Sequence, residues 1–140
     1  MKNQTLSDEK IDKLIQTNYS GSFMNNSKWV KLIQLLVDNY DLIKVCNVKL
    51  IFDDKIRNMK ITGDEQYDFD FYSNSMESMV SDPIIPGWTS YKEIEWIGFP
   101  TVSDSDNIKQ DILKIKQCVN GLGKFNEELT NEYYRIYAYR

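Results

Sequence analysis

Apolar residues recur every three to four positions from Trp29 through Leu32, Ile33, Leu36 and Val37 to Tyr40, the spacing that gathers them on one face of an α-helix. Asn26 or Ser27 is the expected cap of that helix. A shorter stripe, Ile11, Leu14 and Ile15, predicts a first helix over 7–18, with Ser7 as cap and Asp8 and Glu9 at its positive end. The stretch from Asn18 to Asn26 reads as a loop by its Gly, Ser and Asn content. From Leu42 to Phe52 the period changes to two. Lys44, Cys46, Val48, Leu50 and Phe52 alternate with Ile43, Val45, Asn47, Lys49 and Ile51, and the β-branched content argues for a strand. Asp53 and Asp54 make a turn, and Ile56 to Thr62 a returning strand. After a second turn at Gly63-Asp64-Glu65, Gln66 to Tyr72 alternates with Tyr67, Phe69 and Phe71 on one face.

Residues 73–90 form a long connection broken by Pro83, Pro86 and Gly87, with a short helical turn over Met76–Val80. Tyr91 to Phe99 predicts a strand that Pro100 ends. Ser103 or Ser105 then caps a third helix whose apolar face is Ile108, Ile112, Ile115 and Val119, closed by Gly121 and Gly123. Glu132 to Tyr139 alternates again and gives the final strand. The element order is therefore ααββββαβ. Consecutive strands joined by short turns imply a mainly antiparallel sheet of about five strands with three helices packed on it, an α+β fold. Residues 1–22 form an N-terminal extension with its short helix, and residues 23–140 one α+β domain.

Composition narrows the chemistry. None of the 140 residues is a histidine, which removes Ser-His-Asp and Cys-His catalysis from these residues along with the commonest zinc ligand. The aromatic fraction is 13%, enough to build a sizeable core, and the formal charge of −4 disfavours duplex nucleic acid and anionic membrane as partners. That charge points instead to a basic protein partner. Cys46 and Cys118 stand far apart and outside any CxxC pair, so both are expected to be reduced thiols in or near the core of a cytoplasmic protein. There is no long apolar run for a membrane span, and MKNQTLSDEKID lacks the apolar segment of a secretory signal. Abundant Lys, Asn, Ile and Tyr with a single alanine, Ala138, read as the coding of a low-GC bacterium.

Four groups of side chains carry candidate chemistry. Asp68 and Asp70 share one strand face about 7 Å apart, a spacing at which two carboxylates can share a hard cation or flank a substrate. The plain alternative is a solvated face opposite Tyr67, Phe69 and Phe71. In the proline-stiffened run 81–88, Ile84, Ile85 and Trp88 are candidate interface anchors, with Tyr91 beyond them; folding back to cap the core is the competing role. Lys92, Glu93 and Glu95 beside Trp96 can serve acid–base chemistry if desolvated, although cross-strand charge pairing accounts for them equally. The closing aromatics Tyr133, Tyr134, Tyr137 and Tyr139, with Arg135 and Arg140, suit either base stacking or a half-buried strand, and the acidic balance favours the strand. Gly121-Leu122-Gly123 lacks the third glycine of a dinucleotide fingerprint and ends a helix instead of opening one.

Three local strings occur together: Met24-Asn25-Asn26-Ser27-Lys28-Trp29 opening the second helix, Tyr91-Lys92-Glu93-Ile94-Glu95-Trp96-Ile97 before the third, and Tyr134-Arg135-Ile136-Tyr137-Ala138-Tyr139 at the close. Over about residues 24–139 the arrangement resembles the bacterial domain-of-unknown-function family 6678. The resemblance implies a small intracellular α+β protein and brings no activity, cofactor or site residue with it.

The expected function is a non-catalytic protein-binding domain. In its sharper form the chain is an immunity- or antitoxin-like inhibitor of a basic partner, with no cofactor. The alternative is a small-ligand-binding protein or enzyme using carboxylates near Trp88 and Trp96, in a cleft that Tyr91, Asp68, Asp70 or Glu95 helps to line. A third option is self-association through the last strand.

Overall fold

The structure, a computed structural model, describes residues 8–61, 63, 74–77, 88–103 and 107–140. The expected strand 66–72 with Asp68 and Asp70, the anchors Ile84 and Ile85, and the Ser7 and Ser105 caps lie outside the described residues.

Helix α1 (Asp8–Asn18) and helix α2 (Asn26–Asp38) follow the two predicted stripes. The cap of α2 is Asn25, one residue earlier than expected: its extended backbone aims the side-chain oxygen at the N–H of Lys28, 2.8 Å away. At the other end, the backbone N–H of Asn39 bonds the carbonyls of Leu35 and Leu36, and its side chain bonds Leu35 again at 2.8 Å. The stripe therefore stops at Val37, and Tyr40 lies beyond the helix, half exposed.

Strand β1 covers only Asn47–Leu50 of the long alternating run, and β2 is Ile56–Asn58. Asp53 closes this hairpin with both carboxylate oxygens on Arg57, each at 3.0 Å, which lets a guanidinium sit buried on the core side of the sheet. Strands β3 (Ser75–Glu77) and β4 (Trp88–Ser90) pair as a separate two-stranded sheet, so the backbone at Met76–Glu77 is extended and not helical.

Tyr91–Glu93 is a single 3-10 turn, not the start of a strand. Ser90 and Glu93 form a capping box around it, with Ser90 N–H donating to Glu93 Oε2 at 3.0 Å. The central strand β5 (Ile94–Pro100) follows, with a bulge at Glu95 where the pairing to β1 slips between Lys49 and Leu50.

The third helix, α3 (Ile112–Leu122), starts later than its apolar spacing suggests. Asp111 caps it by accepting from Lys114 N–H at 3.1 Å, while ahead of it Ser103 N–H bonds the Ile108 carbonyl and Gln110 N–H the Thr101 carbonyl. Asn107 stands at φ 52°, a left-handed conformation asparagine tolerates. Ile108 is consequently outside the helix and partly exposed.

Strand β6 (Asn126–Leu129) was not legible in the pattern, because Asn-Glu-Glu-Leu has no apolar alternation. It exists because the Thr130 hydroxyl accepts from the N–H groups of Glu132 and Tyr133, each at 3.1 Å, turning the chain straight into β7 (Tyr133–Tyr137). The main sheet runs β2-β1-β5-β7-β6, antiparallel throughout. The final strand is therefore flanked on both sides and offers no free edge for self-pairing.

One face of the sheet builds the core. Val48, Leu50, Ile97, Phe99, Tyr134 and Ile136 pack against Leu32, Ile33 and Leu36 of α2 and Ile115 and Val119 of α3. Ile11 of α1 joins the same cluster. Behind α1, Ser20, Gly21 and Phe23 bond the backbone of Ala138 and Arg140, fastening the start of the described chain to its end. Among the described residues no helix is long and apolar enough to cross a membrane.

Candidate functional site

Strand alternation sends Asn47 and Lys49 of β1, Trp96 and Gly98 of β5, and Tyr133, Arg135 and Tyr137 of β7 to the face opposite α2 and α3. Register then decides which of them meet. Gly98 lies directly between Asn47 and Arg135, Trp96 pairs with Tyr137, and Pro100 with Tyr133. Arg135 is thus centred over the glycine, with Trp96 diagonal to it on β5 and Tyr133 two residues before it on its own strand.

The guanidinium carbon of Arg135 stands 4.0 Å from the Trp96 ring centroid and 3.9 Å from that of Tyr133. Both faces of the planar cation are covered, a geometry arginine supports and lysine does not. Gly98 makes the close stacking possible: a Cβ there would lie 3.0 Å from both Arg135 Cγ and Trp96 Cζ3. The stack closes over the indole, so Trp96 is only 4% exposed despite its position on the face away from the helices.

A second stack continues the row, with Arg140 4.1 Å above the Tyr137 ring and donating to Asn126 Oδ1 at 3.1 Å. Glu128 fixes both tyrosines by accepting from Tyr137 at 2.9 Å and from Tyr133 at 3.1 Å. Those two hydroxyls hold its carboxyl below the usual range. Nearby, Glu95 pairs with Lys49 at 2.7 Å and accepts the Tyr19 hydroxyl at 2.6 Å, so that cation is neutralised locally. Burial and the Glu95 contact push the Tyr19 hydroxyl well up.

Beside the Arg135 stack the surface dips into a groove of about 610 Å³. Its lining combines the sheet residues Asn47, Ile56, Trp96, Gly98, Tyr133 and Arg135 with a wall of residues outside the strands, Thr101, Val102, Asn107 and Asn131. Gln110 holds that wall. Its carboxamide accepts from the N–H groups of Lys44 (2.9 Å) and Val45 (3.1 Å) and donates to the carbonyls of Val45 (2.8 Å) and Pro100 (2.7 Å). One buried side chain thereby joins the segment before β1 to the end of β5.

The residues singled out from sequence are distributed differently. Trp88 contributes its backbone to β4. Tyr91 is fully buried and stacks on Trp29 of α2, centroids 6.0 Å apart, on the core side of the sheet. Trp96 faces the other way, so these two rings do not line a common cleft. Lys92 pairs with Asp12 at 2.9 Å, Glu93 caps its turn and Glu95 bridges Lys49 and Tyr19. Of the closing tyrosines, Tyr134 is buried with its hydroxyl on Glu127 at 2.6 Å, and Tyr139 donates to the Lys92 carbonyl, its own pKa pushed up to about 12 by burial. Among the described residues no three His, Cys, Asp or Glu side chains gather in a way that could hold a metal ion. Both cysteines are free, Cys46 buried and Cys118 half-buried.

Sequence reasoning did not select Gly98 or give Arg135 its central role. The Tyr133-Arg135-Tyr137 alternation was visible; the register that sets Arg135 against a glycine of another strand was not. No family model, curated protein or solved structure matches this chain.

Proposed function

We propose that this chain is a non-catalytic protein-binding domain that docks its partner on the outer face of the main sheet. The Arg135 stack above the groove carries the reading. Trp, Tyr and Arg are the side chains that dominate binding energy at interfaces, and here they are ordered before any partner arrives, which lowers the entropic cost of docking. In its sharper form the domain is an immunity- or antitoxin-like inhibitor of a basic protein. The charge of −4 supports that form. So does its distribution along the chain, because Asp64, Glu65, Asp68, Asp70, Glu77 and Asp82 follow one another with no intervening Lys or Arg. The placing is bacterial and cytoplasmic, supported by the codon-biased composition and the two free thiols. The likeness to family 6678 is part of the same proposal: its three strings open α2, run through the central strand β5 and form β7 beside it.

The test is affinity capture from native lysate with the wild-type chain, with V102W, which puts an indole into the groove from its rim, and with K31E on exposed α2 as control. One stoichiometric partner retained by wild type and K31E and released by V102W is the expected result. Recovery of the chain alone, or a partner that V102W retains, rejects the outer-face reading. The groove volume also suits a small molecule. A metabolite that raises the melting temperature of wild type but not V102W would move the reading to ligand binding.

A further inference from the structure

Building on that docking surface, we infer that Arg135 is a carboxylate-reading residue and that the groove takes an acidic peptide segment of the partner protein. A guanidinium carries five N–H donors around its rim, and stacking occupies only its faces. Trp96 and Tyr133 cover those faces, Arg135 forms no salt bridge among the described residues, and the charge of Glu128, opposite it on β6, lies close without a direct bond to it. Arg135 itself lines the groove. Clamped between two rings, it presents paired donors at fixed geometry, matching the two oxygens of an Asp or Glu side chain.

Nucleic acid fits this face poorly. Bases need bare ring faces to stack on, whereas both walls of the stack and the Tyr137 ring are already covered by guanidinium groups. Lys49, a further cation on this face, is tied to Glu95, and the whole chain repels a polyanion. A peptide fits better, because the amides of Asn47, Asn107 and Asn131 around the groove complement backbone N–H and C=O groups. A partner that is basic overall and offers one carboxylate here satisfies both this site and the chain's net charge.

The experiment is selection of a random peptide library on the full chain, with counter-selection on R135Q, followed by binding measurements and amide chemical-shift mapping. Enriched peptides should share an Asp or Glu whose amide analogue binds about tenfold or more weakly. R135Q and R135M, each confirmed folded at the assay temperature, should show the same loss, R135K a partial one, and wild-type shifts should centre on Gly98 and Arg135. A consensus without an acid, no enrichment, or equal binding by R135Q overturns the inference. So does an oligothymidylate that binds wild type with shifts at the same amides. If the captured partner is still released by V102W, the docking reading survives such a failure; if V102W retains it, the docking reading fails on separate grounds.

Discussion

Replacing Gln110 by alanine should loosen the molecule at the wall of its groove. The side chain is 9% exposed and spends all four of its hydrogen-bonding positions on backbone: two N–H groups of Lys44 and Val45 and two carbonyls of Val45 and Pro100. Each such bond contributes about 0.5–1.5 kcal/mol net. Lys44 is exposed, so water can replace the bond on that side, and the expected loss for Q110A is about 2–4 kcal/mol. Urea unfolding followed by tryptophan fluorescence reads this directly as a lower midpoint at unchanged slope. Q110E separates bonding from packing. It keeps the shape but replaces the donor facing the Val45 and Pro100 carbonyls with a second acceptor. The folded state then prefers the protonated acid, so the variant carboxyl is raised above about 4.3, its unfolded value. A raised folded pKa means the native state binds the proton more tightly, and the deficit relative to wild type should shrink as pH falls through that pKa. A Q110A cost below about 0.5 kcal/mol, or a Q110E deficit independent of pH, would refute the account of Gln110 as a backbone clip.

Three further outcomes are expected. Asp53 is held below the usual carboxylate range by its Arg57 bond, against the opposing effect of burial. D53N should cost about 1–2 kcal/mol near neutral pH, a difference present above about pH 5 and fading as acid protonates Asp53; a constant gap down to pH ~3 would contradict the pairing. Burial pushes the Cys46 thiol far up while Cys118 is half-buried, so a thiol reagent should modify Cys118 in the native chain and Cys46 only on unfolding; two equally fast thiols would disprove the placement. G98A forces Arg135 and Trp96 to give by a few tenths of an ångström and should destabilise by about 1–3 kcal/mol while changing tryptophan emission; a neutral variant would show that the stack re-forms without the glycine.

The apolar stripe of α2, the alternation around Val48 and Leu50, the run Ile94–Phe99 and the closing tyrosines each reported an element, because burial on one face imposes a period on sequence. Local errors came where side-chain bonding overrode pattern. Asn25 and Asp111 cap helices for which the local sequence also offers Asn26, Ser27, Ser103 and Ser105. Ser90 and Glu93, whose spacing is itself a capping signal, turn Tyr91 inward before the strand begins. Strand β6 left no trace, since Asn126–Leu129 becomes extended only by pairing with β7.

By itself, then, the sequence determined the α+β class, the strand character of β1, β5 and β7, and the absence of histidine chemistry, all of which depend on residue type and short-range period. The candidate site belongs to the tertiary structure. Trp96, Gly98, Tyr133 and Arg135 come from two strands more than thirty residues apart, and only the β5–β7 register places an arginine over a glycine between two rings. Periodicity says which way a side chain points; which neighbour it meets is set by strand pairing, which no local window contains.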